Sequence, residues 1–149
     1  MGAGWLPTRT PLNNILADTG PLYALADESD EWHVRVRTFL EEFSPRLVVP
    51  VTVLPEVTYL LSKFLGSSAE IQFVESVHRG ELLLEAVTRA DLARSIEVMR
   101  RYVDAELGFV DASVVAVAER LRLTNVLTVD RKHFGMVRPR HCRAFSLYP

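Results

Sequence analysis

Short apolar runs alternate along this chain with longer segments in which apolar residues return every three or four positions. The first pattern belongs to buried strands and the second to amphipathic helices. Residues 14–18, Asn-Ile-Leu-Ala-Asp, form one such run. Thr19-Gly20-Pro21 ends it with a turn and places a proline where the first turn of a helix accepts one. Asp30 is a candidate cap for a helix reaching Phe43, Ser44-Pro45 interrupts that helix, and a second strand follows at 47–49, closed by Pro50.

From Thr52 onward Leu54, Val57, Leu61 and Phe64 predict a helical apolar stripe that stops near Gly66. Residues 68–78 predict another helix with Ile71, Val74 and Val77 inward, and Gly80 stands where its C-terminal cap belongs. A third strand is expected at 82–84. Thr88 to Asp91 then reads as a helix-opening cap, with Leu92, Ile96, Met99 and Val103 as the buried face. Gly108 separates this helix from one over 109–121, whose apolar face is Val110, Val114, Val117 and Leu121. Residues 125–130 predict a further buried strand, and 142–147 an edge strand. Strands separated by one or two helices imply a mainly parallel sheet covered on both faces, an α/β domain.

Composition narrows the class. The chain has 149 residues, 48% hydrophobic and 24% charged, which excludes a disordered protein and suits one domain. Residues 1–13 read as an N-terminal tail and 14–149 as the single folded domain. The one cysteine, Cys142, excludes an internal disulfide, and neither a signal-peptide core nor a membrane span is visible, so a cytoplasmic protein without membrane association is expected. The net charge of −2 hides an asymmetry: Arg131, Lys132, Arg138, Arg140 and Arg143 give residues 131–149 a charge of +5, leaving −7 on residues 1–130. That basic segment is a candidate surface for a phosphate backbone.

The chemistry lies in the acids. Asp18 and Asp130 each end an apolar strand, so both are expected at the carboxyl edge of the sheet, where open α/β sheets bind ligands. Asp111 falls in the first turn of a helix, a position that a capping acid also occupies, and Glu56 lies beside a helical apolar stripe. Several carboxylates gathered near one another need a compensating cation, and oxygen donors select Mg²⁺ or Mn²⁺. Such a centre activates water for in-line attack on a phosphodiester and stabilises the departing 3′ oxygen. The chain has no Ser-His-Asp elbow, phosphate loop, HExxH or paired-cysteine motif.

Four blocks carry a resemblance: Leu16-Ala-Asp18-Thr-Gly-Pro-Leu-Tyr-Ala-Leu25, Val53-Leu-Pro-Glu56-Val-Thr-Tyr-Leu-Leu61, Gly108-Phe-Val-Asp111-Ala-Ser113-Val-Val, and Leu127-Thr-Val-Asp130-Arg-Lys-His133-Phe. Their order and spacing, from about residue 14 to 147, resemble PIN-domain proteins of the VapC toxin type. The resemblance implies a three-layer α/β/α fold with a short, mainly parallel sheet. It also implies an Mg²⁺- or Mn²⁺-dependent endoribonuclease, the toxin of a toxin–antitoxin pair, with a cognate antitoxin and a homodimer. Asp18, Glu56, Asp111 and Asp130 would be its acidic quartet and metal ligands, with Thr19, Ser113 and Thr128 as supporting hydroxyls. Asp104 would be at most a peripheral acid, since Gly108 breaks the helix between it and Asp111. His133 reads as a packing or turn residue. Two rival readings keep the same residues: a non-catalytic RNA- or protein-binding scaffold, and a phosphatase with Asp18 as nucleophile. The second lacks its usual second aspartate, because Gly20 stands there.

Overall fold

The structure is a computed structural model in which residues 13–149 are described. The expectation of a tail over residues 1–13 lies outside them apart from Asn13, whose carbonyl accepts a 2.8 Å hydrogen bond from the Arg46 amide. The chain runs β1 (Asn14–Ala17), α1 (Thr19–Ala26), α2 (His33–Phe43), β2 (Arg46–Pro50), α3 (Val53–Leu65) and α4 (Ser67–His78). It continues through β3 (Leu83–Glu85), α5 (Arg89–Arg101), a 3-10 turn (Val103–Ala105), α6 (Phe109–Leu121), β4 (Asn125–Leu127), α7 (Arg131–Met136) and β5 (Ser146–Tyr148).

The five strands form one sheet in the order β3-β2-β1-β4-β5, parallel at every pairing. Helices flank it as the outer layers of an α/β/α sandwich, and the strands are correspondingly apolar on both faces: Ile15, Leu16, Ala17, Val49, Val126 and Leu127 are fully buried. From β1 the chain works outward first in one direction, through β2 and β3, and then in the other, through β4 and β5. The order therefore reverses between β1 and β4, whose register pairs Ala17 with Leu127. A crevice opens at such a reversal, above the carboxyl ends of the two strands.

Two helices, α4 and α5, turn other faces inward than their apolar spacing predicts, and α3 keeps part of its predicted stripe, Val57 and Leu61. In α3 the buried stripe is Val53, Val57 and Leu61, with Leu54 half-buried and Phe64 exposed. In α4 no residue is fully buried, and Ile71 and Val74 face outward beside a half-buried Val77. In α5 the inward residues are Asp91, Ser95 and Val98, while Leu92 and Ile96, and Val103 beyond the helix, are exposed and Met99 is half-buried. Charge and size decide the rotation of α5. Thr88 and Asp91 form the capping box that opens it, and the same Asp91 carboxylate accepts two 3.1 Å hydrogen bonds from Arg120 on α6. Arg94 grips Glu119 of α6 at 2.7 and 3.1 Å. These pairs require the polar side of α5 to face α6, and the small Ser95, donating to the Asp91 carbonyl, lets the two helices approach. Helix α6 is the central one: residues 112–118 are all buried.

Candidate metal centre

Asp18 follows β1 and Asp130 follows β4, so adjacent parallel strands deliver both carboxylates to the crevice edge. The backbone seals this arrangement, with the Asp18 amide donating to the Leu127 carbonyl at 3.0 Å. Thr128 joins the two acids chemically. Its buried hydroxyl donates to Asp18 Oδ2 at 3.1 Å and accepts the Asp130 amide at 2.9 Å, so one side chain uses both its donor and an acceptor site between them. Close backbone approach matters here as well. A Cβ on Gly20 would lie 2.5 Å from Val129 Cγ2, so glycine is needed where α1 passes the end of β4.

Glu56 comes from the first turn of α3 and accepts a 2.8 Å hydrogen bond from the Thr19 hydroxyl, which turns an otherwise exposed glutamate toward the residue beside Asp18. Asp111 comes from the first turn of α6, after the Gly108 cap, and caps nothing. Among the described residues no hydrogen bond reaches its carboxylate. A helix start should favour its negative charge, yet burial, then Asp18 and Asp130, push its pKa up to about 7. Asp18 is pushed up to about 6, chiefly by burial, against the lowering effect of its bonds to the Thr19 backbone and Thr128; Glu56 and Asp130 add to the rise. Asp111 therefore feels the other three acids across the crevice and Asp18 feels Glu56 and Asp130, and neither Asp18 nor Asp111 has a counter-charge strong enough to hold it ionised.

The remaining partner is His133. Its backbone amide donates to Asp130 Oδ1 at 2.9 Å, its Nδ1 lies 2.6 Å from Asp130 Oδ2, and its Nε2 lies 2.9 Å from the Ala105 carbonyl. Both ring nitrogens face acceptors, and the Asp130 carboxylate raises the His133 pKa accordingly. Asp111, Asp130 and His133 present ligand atoms within 4.8 Å of one another. With both imidazole nitrogens engaged, the donors left for a cation are hard carboxylate oxygens, and their unmet need is positive charge. Those residues fit a divalent cation.

Other residues named from the sequence stand elsewhere. Ser113 is buried, donating to the Val110 carbonyl and meeting the Thr52 hydroxyl, both at 2.6 Å; it ties the start of α3 to the start of α6. Thr52, which no motif singles out, is thus the link that spaces Glu56 from Asp111. Asp104 lies exposed in the 3-10 turn, outside the cation-binding group among the described residues. Of the basic segment, Arg140 pairs with Glu97 at 2.7 Å, Arg138 turns back onto the Gly135 carbonyl at 3.0 Å, and Arg131 donates to the Pro149 carbonyl. Lys132 and Arg143 are exposed.

Known proteins share this fold. The family profile of the PIN domain matches residues 15–137. Ribonuclease VapC26 of Mycobacterium tuberculosis is 29% identical over 135 residues, covering 91% of this chain and all of that protein. Among solved structures, Mycobacterium tuberculosis VapC20, a sarcin–ricin-loop-cleaving toxin, superposes with a TM-score of 0.74 at 24% identity, over 87% of this chain and 98% of its own. A toxin–antitoxin complex from Klebsiella pneumoniae gives 0.65 at 21% identity, over 83% and 92%. The matched span takes in four of the five strands and every residue of the acidic crevice, and on that ground the chain belongs to the PIN-domain family.

Proposed function

We propose that this protein is a divalent-metal-dependent endoribonuclease, using Mg²⁺ or Mn²⁺, and the toxin of a toxin–antitoxin pair in the cytoplasm. The observation that carries the reading is Asp111: an acid in the first turn of a helix that caps nothing and is pushed to about pKa 7 by burial and by Asp18 and Asp130. A carboxylate placed against both hydrogen bonding and charge marks a site built for a cation. When bound, the cation supplies Lewis acidity and offsets negative charge on a phosphodiester. The chain's own residues set the geometry: Thr128 fixes Asp18 relative to Asp130, Thr19 orients Glu56, and the Thr52–Ser113 contact spaces α3 from α6. The ribonuclease named among the relatives and the toxins among the structural neighbours support RNA as substrate and an antitoxin as partner. Exposed apolar side chains on α4 and α5, Ile71, Val74, Leu92 and Ile96, support protein partners, the antitoxin and a second copy of this chain. The phosphatase reading is disfavoured, since the second aspartate it needs would collide with Val129 at position 20.

The test is cleavage of total RNA by the wild-type protein with Mg²⁺, with Mn²⁺ and with EDTA, beside Asp18→Asn and Asp111→Asn. Cutting that needs the metal and is lost in both variants is the expected result. Equal cutting under all conditions overturns the reading, and a protein that binds RNA but never cuts it is the scaffold.

A further inference from the structure

Asp130 is held differently from the other three acids. Asp18 is packed against Thr128, Glu56 is turned by Thr19, and Asp111 has no hydrogen bond among the described residues, whereas Asp130 is gripped on both carboxylate oxygens by one residue, His133. The backbone amide of His133 takes Oδ1 at 2.9 Å, and its ring takes Oδ2 through Nδ1 at 2.6 Å. The far side of that ring is anchored in turn, Nε2 lying 2.9 Å from the carbonyl of Ala105. Ala105 belongs to the 3-10 turn between α5 and α6, an element otherwise outside the crevice. A second bond ties the same connection to the segment after α7: the Arg138 amide donates to the Tyr102 hydroxyl at 2.9 Å. The helix start at Asp130 and the segment after α7 are therefore each bridged to the connection that precedes Asp111.

We infer that His133 is a positioning residue of the metal centre, its Nδ1 contact holding the Asp130 carboxylate in one orientation. The inference rests on the metal-centre part of the function proposed above. A carboxylate offers about four lone-pair sites, so with one contact on each oxygen Asp130 keeps a free lone pair on both for a cation. The brace removes the rotation about the Asp130 side chain that a cation would otherwise have to freeze. Outer partners of this kind change metal affinity or activity by about 10–100-fold when removed. His133 touches neither substrate nor reacting atoms in this scheme; it acts through Asp130.

The two ends of the imidazole can be separated by substitution. The amide nitrogen of His133→Asn stands near the place of Nδ1 and keeps the contact with Asp130 while losing Ala105. His133→Gln reaches the place of Nε2 and keeps Ala105 while losing Asp130. Mn²⁺ affinity, read by the electron paramagnetic resonance of free ion, needs no turnover and is measured first on the full chain. Wild type and His133→Asn should agree within about threefold, and His133→Gln should bind Mn²⁺ about 10–100-fold more weakly. In RNA cleavage the same loss should fall on kcat, with KM within about threefold of wild type. Thermal melts of the metal-free variants keep the comparison among folded proteins, and His133→Gln against His133→Asn remains informative if His133→Ala fails to fold. Equal Mn²⁺ affinity in the Gln and Asn variants, or a loss confined to KM, overturns the inference. A wild-type protein that binds Mn²⁺ with this His133 dependence but leaves RNA intact overturns the ribonuclease reading and leaves the brace standing.

Discussion

At the scale of single residues the crevice is a store of unfavourable charge, and its sign fixes how the metal-free protein answers to pH. Asp18 and Asp111 hold their protons up to about pH 6 and about pH 7 in the fold, against 3.8 for an ordinary aspartate. Between about pH 4 and pH 7 the folded state thus binds more protons than the unfolded state, and stability falls as pH rises through that window. For Asp18, almost wholly buried, the loss is on the order of 3 kcal/mol. His133 acts in the same direction: its raised pKa contributes stability that is complete below the unfolded value of 6.5 and is lost as pH rises through the folded one. Asp91 works oppositely. Burial opposes its ionisation, but the Arg120 guanidinium and the Thr88 amide and hydroxyl outweigh it and hold the carboxyl below its usual range, so its contribution is lost as pH falls below about 4. In EDTA the melting temperature should therefore peak near pH 4 and decline toward pH 8. With saturating Mn²⁺, bound in the folded state and favouring the ionised acids, that decline should flatten or reverse. Melts across pH 4–8 with and without metal check both limbs, and parallel curves would remove the cation from the site. The same argument makes Asp111→Asn at least as stable as wild type in EDTA, since it deletes a repelling charge and no hydrogen bond. A clear fall in its melting temperature would show that the acid serves the helix start instead.

Among the elements, α1 and α5 show where local pattern predicts position and where it fails. Gly20 sits in the first turn of α1 with no left-handed backbone to explain it; it is there because Val129 fills the space of a Cβ. Gly20→Ala should cost about 1–3 kcal/mol by overpacking a β-branched neighbour. It should also weaken Mn²⁺ binding, because Val129 is bonded directly to Asp130; denaturant melts and metal titration on one variant measure both. Strand ends were readable in the sequence, since an acid that closes a short apolar run before a helix admits few placements; Asp18 directly follows β1, and Asp130 comes three residues after β4. The face of α5 was not readable. Leu92, Ile96, Met99 and Val103 have flawless helical spacing, but the partner across α5 is α6, whose Glu119 and Arg120 demand Arg94 and Asp91 on the inside. Periodicity measures where apolar residues lie relative to each other, and long-range ion pairing decides which side of the helix meets the core. Truncating Arg120→Ala leaves Asp91, 3% exposed, without its guanidinium. Removing one partner of a buried pair costs about 3–5 kcal/mol; with Arg120 itself partly in solvent, about 2–3 kcal/mol is expected, read from urea unfolding.

At the scale of the whole molecule, charge along the chain and charge in space part company. The +5 of residues 131–149 looks continuous in sequence, yet folding scatters it. Arg140 is drawn to Glu97, and its amide to Glu119, near the C-terminal end of α6. That is eight residues, or about 12 Å along the helix axis, from Asp111. Arg138 folds back onto carbonyls at the end of α7. Lys132 lies next to the acidic crevice by chain connectivity, two residues after Asp130, exposed and with no partner among the described residues, whereas its neighbour Arg131 is bonded to the Pro149 carbonyl. A net negative protein that acts on RNA needs its few unpaired cations beside the crevice more than it needs a basic total. Each phosphate neutralised on a single strand contributes about −0.7 to the slope of log affinity against log salt. In EDTA, where binding is separated from cutting, Lys132→Glu should weaken RNA binding at low salt and make that slope shallower by about 0.7 or more. Arg140→Glu should leave the slope unchanged and instead lower the melting temperature, because it sets a third acid against Glu97 and Glu119. Titrations of a single-stranded RNA from about 50 to 200 mM salt distinguish the two; an Arg140 variant that flattens the slope as much as the Lys132 variant would show that RNA passes over the α5–α6 face.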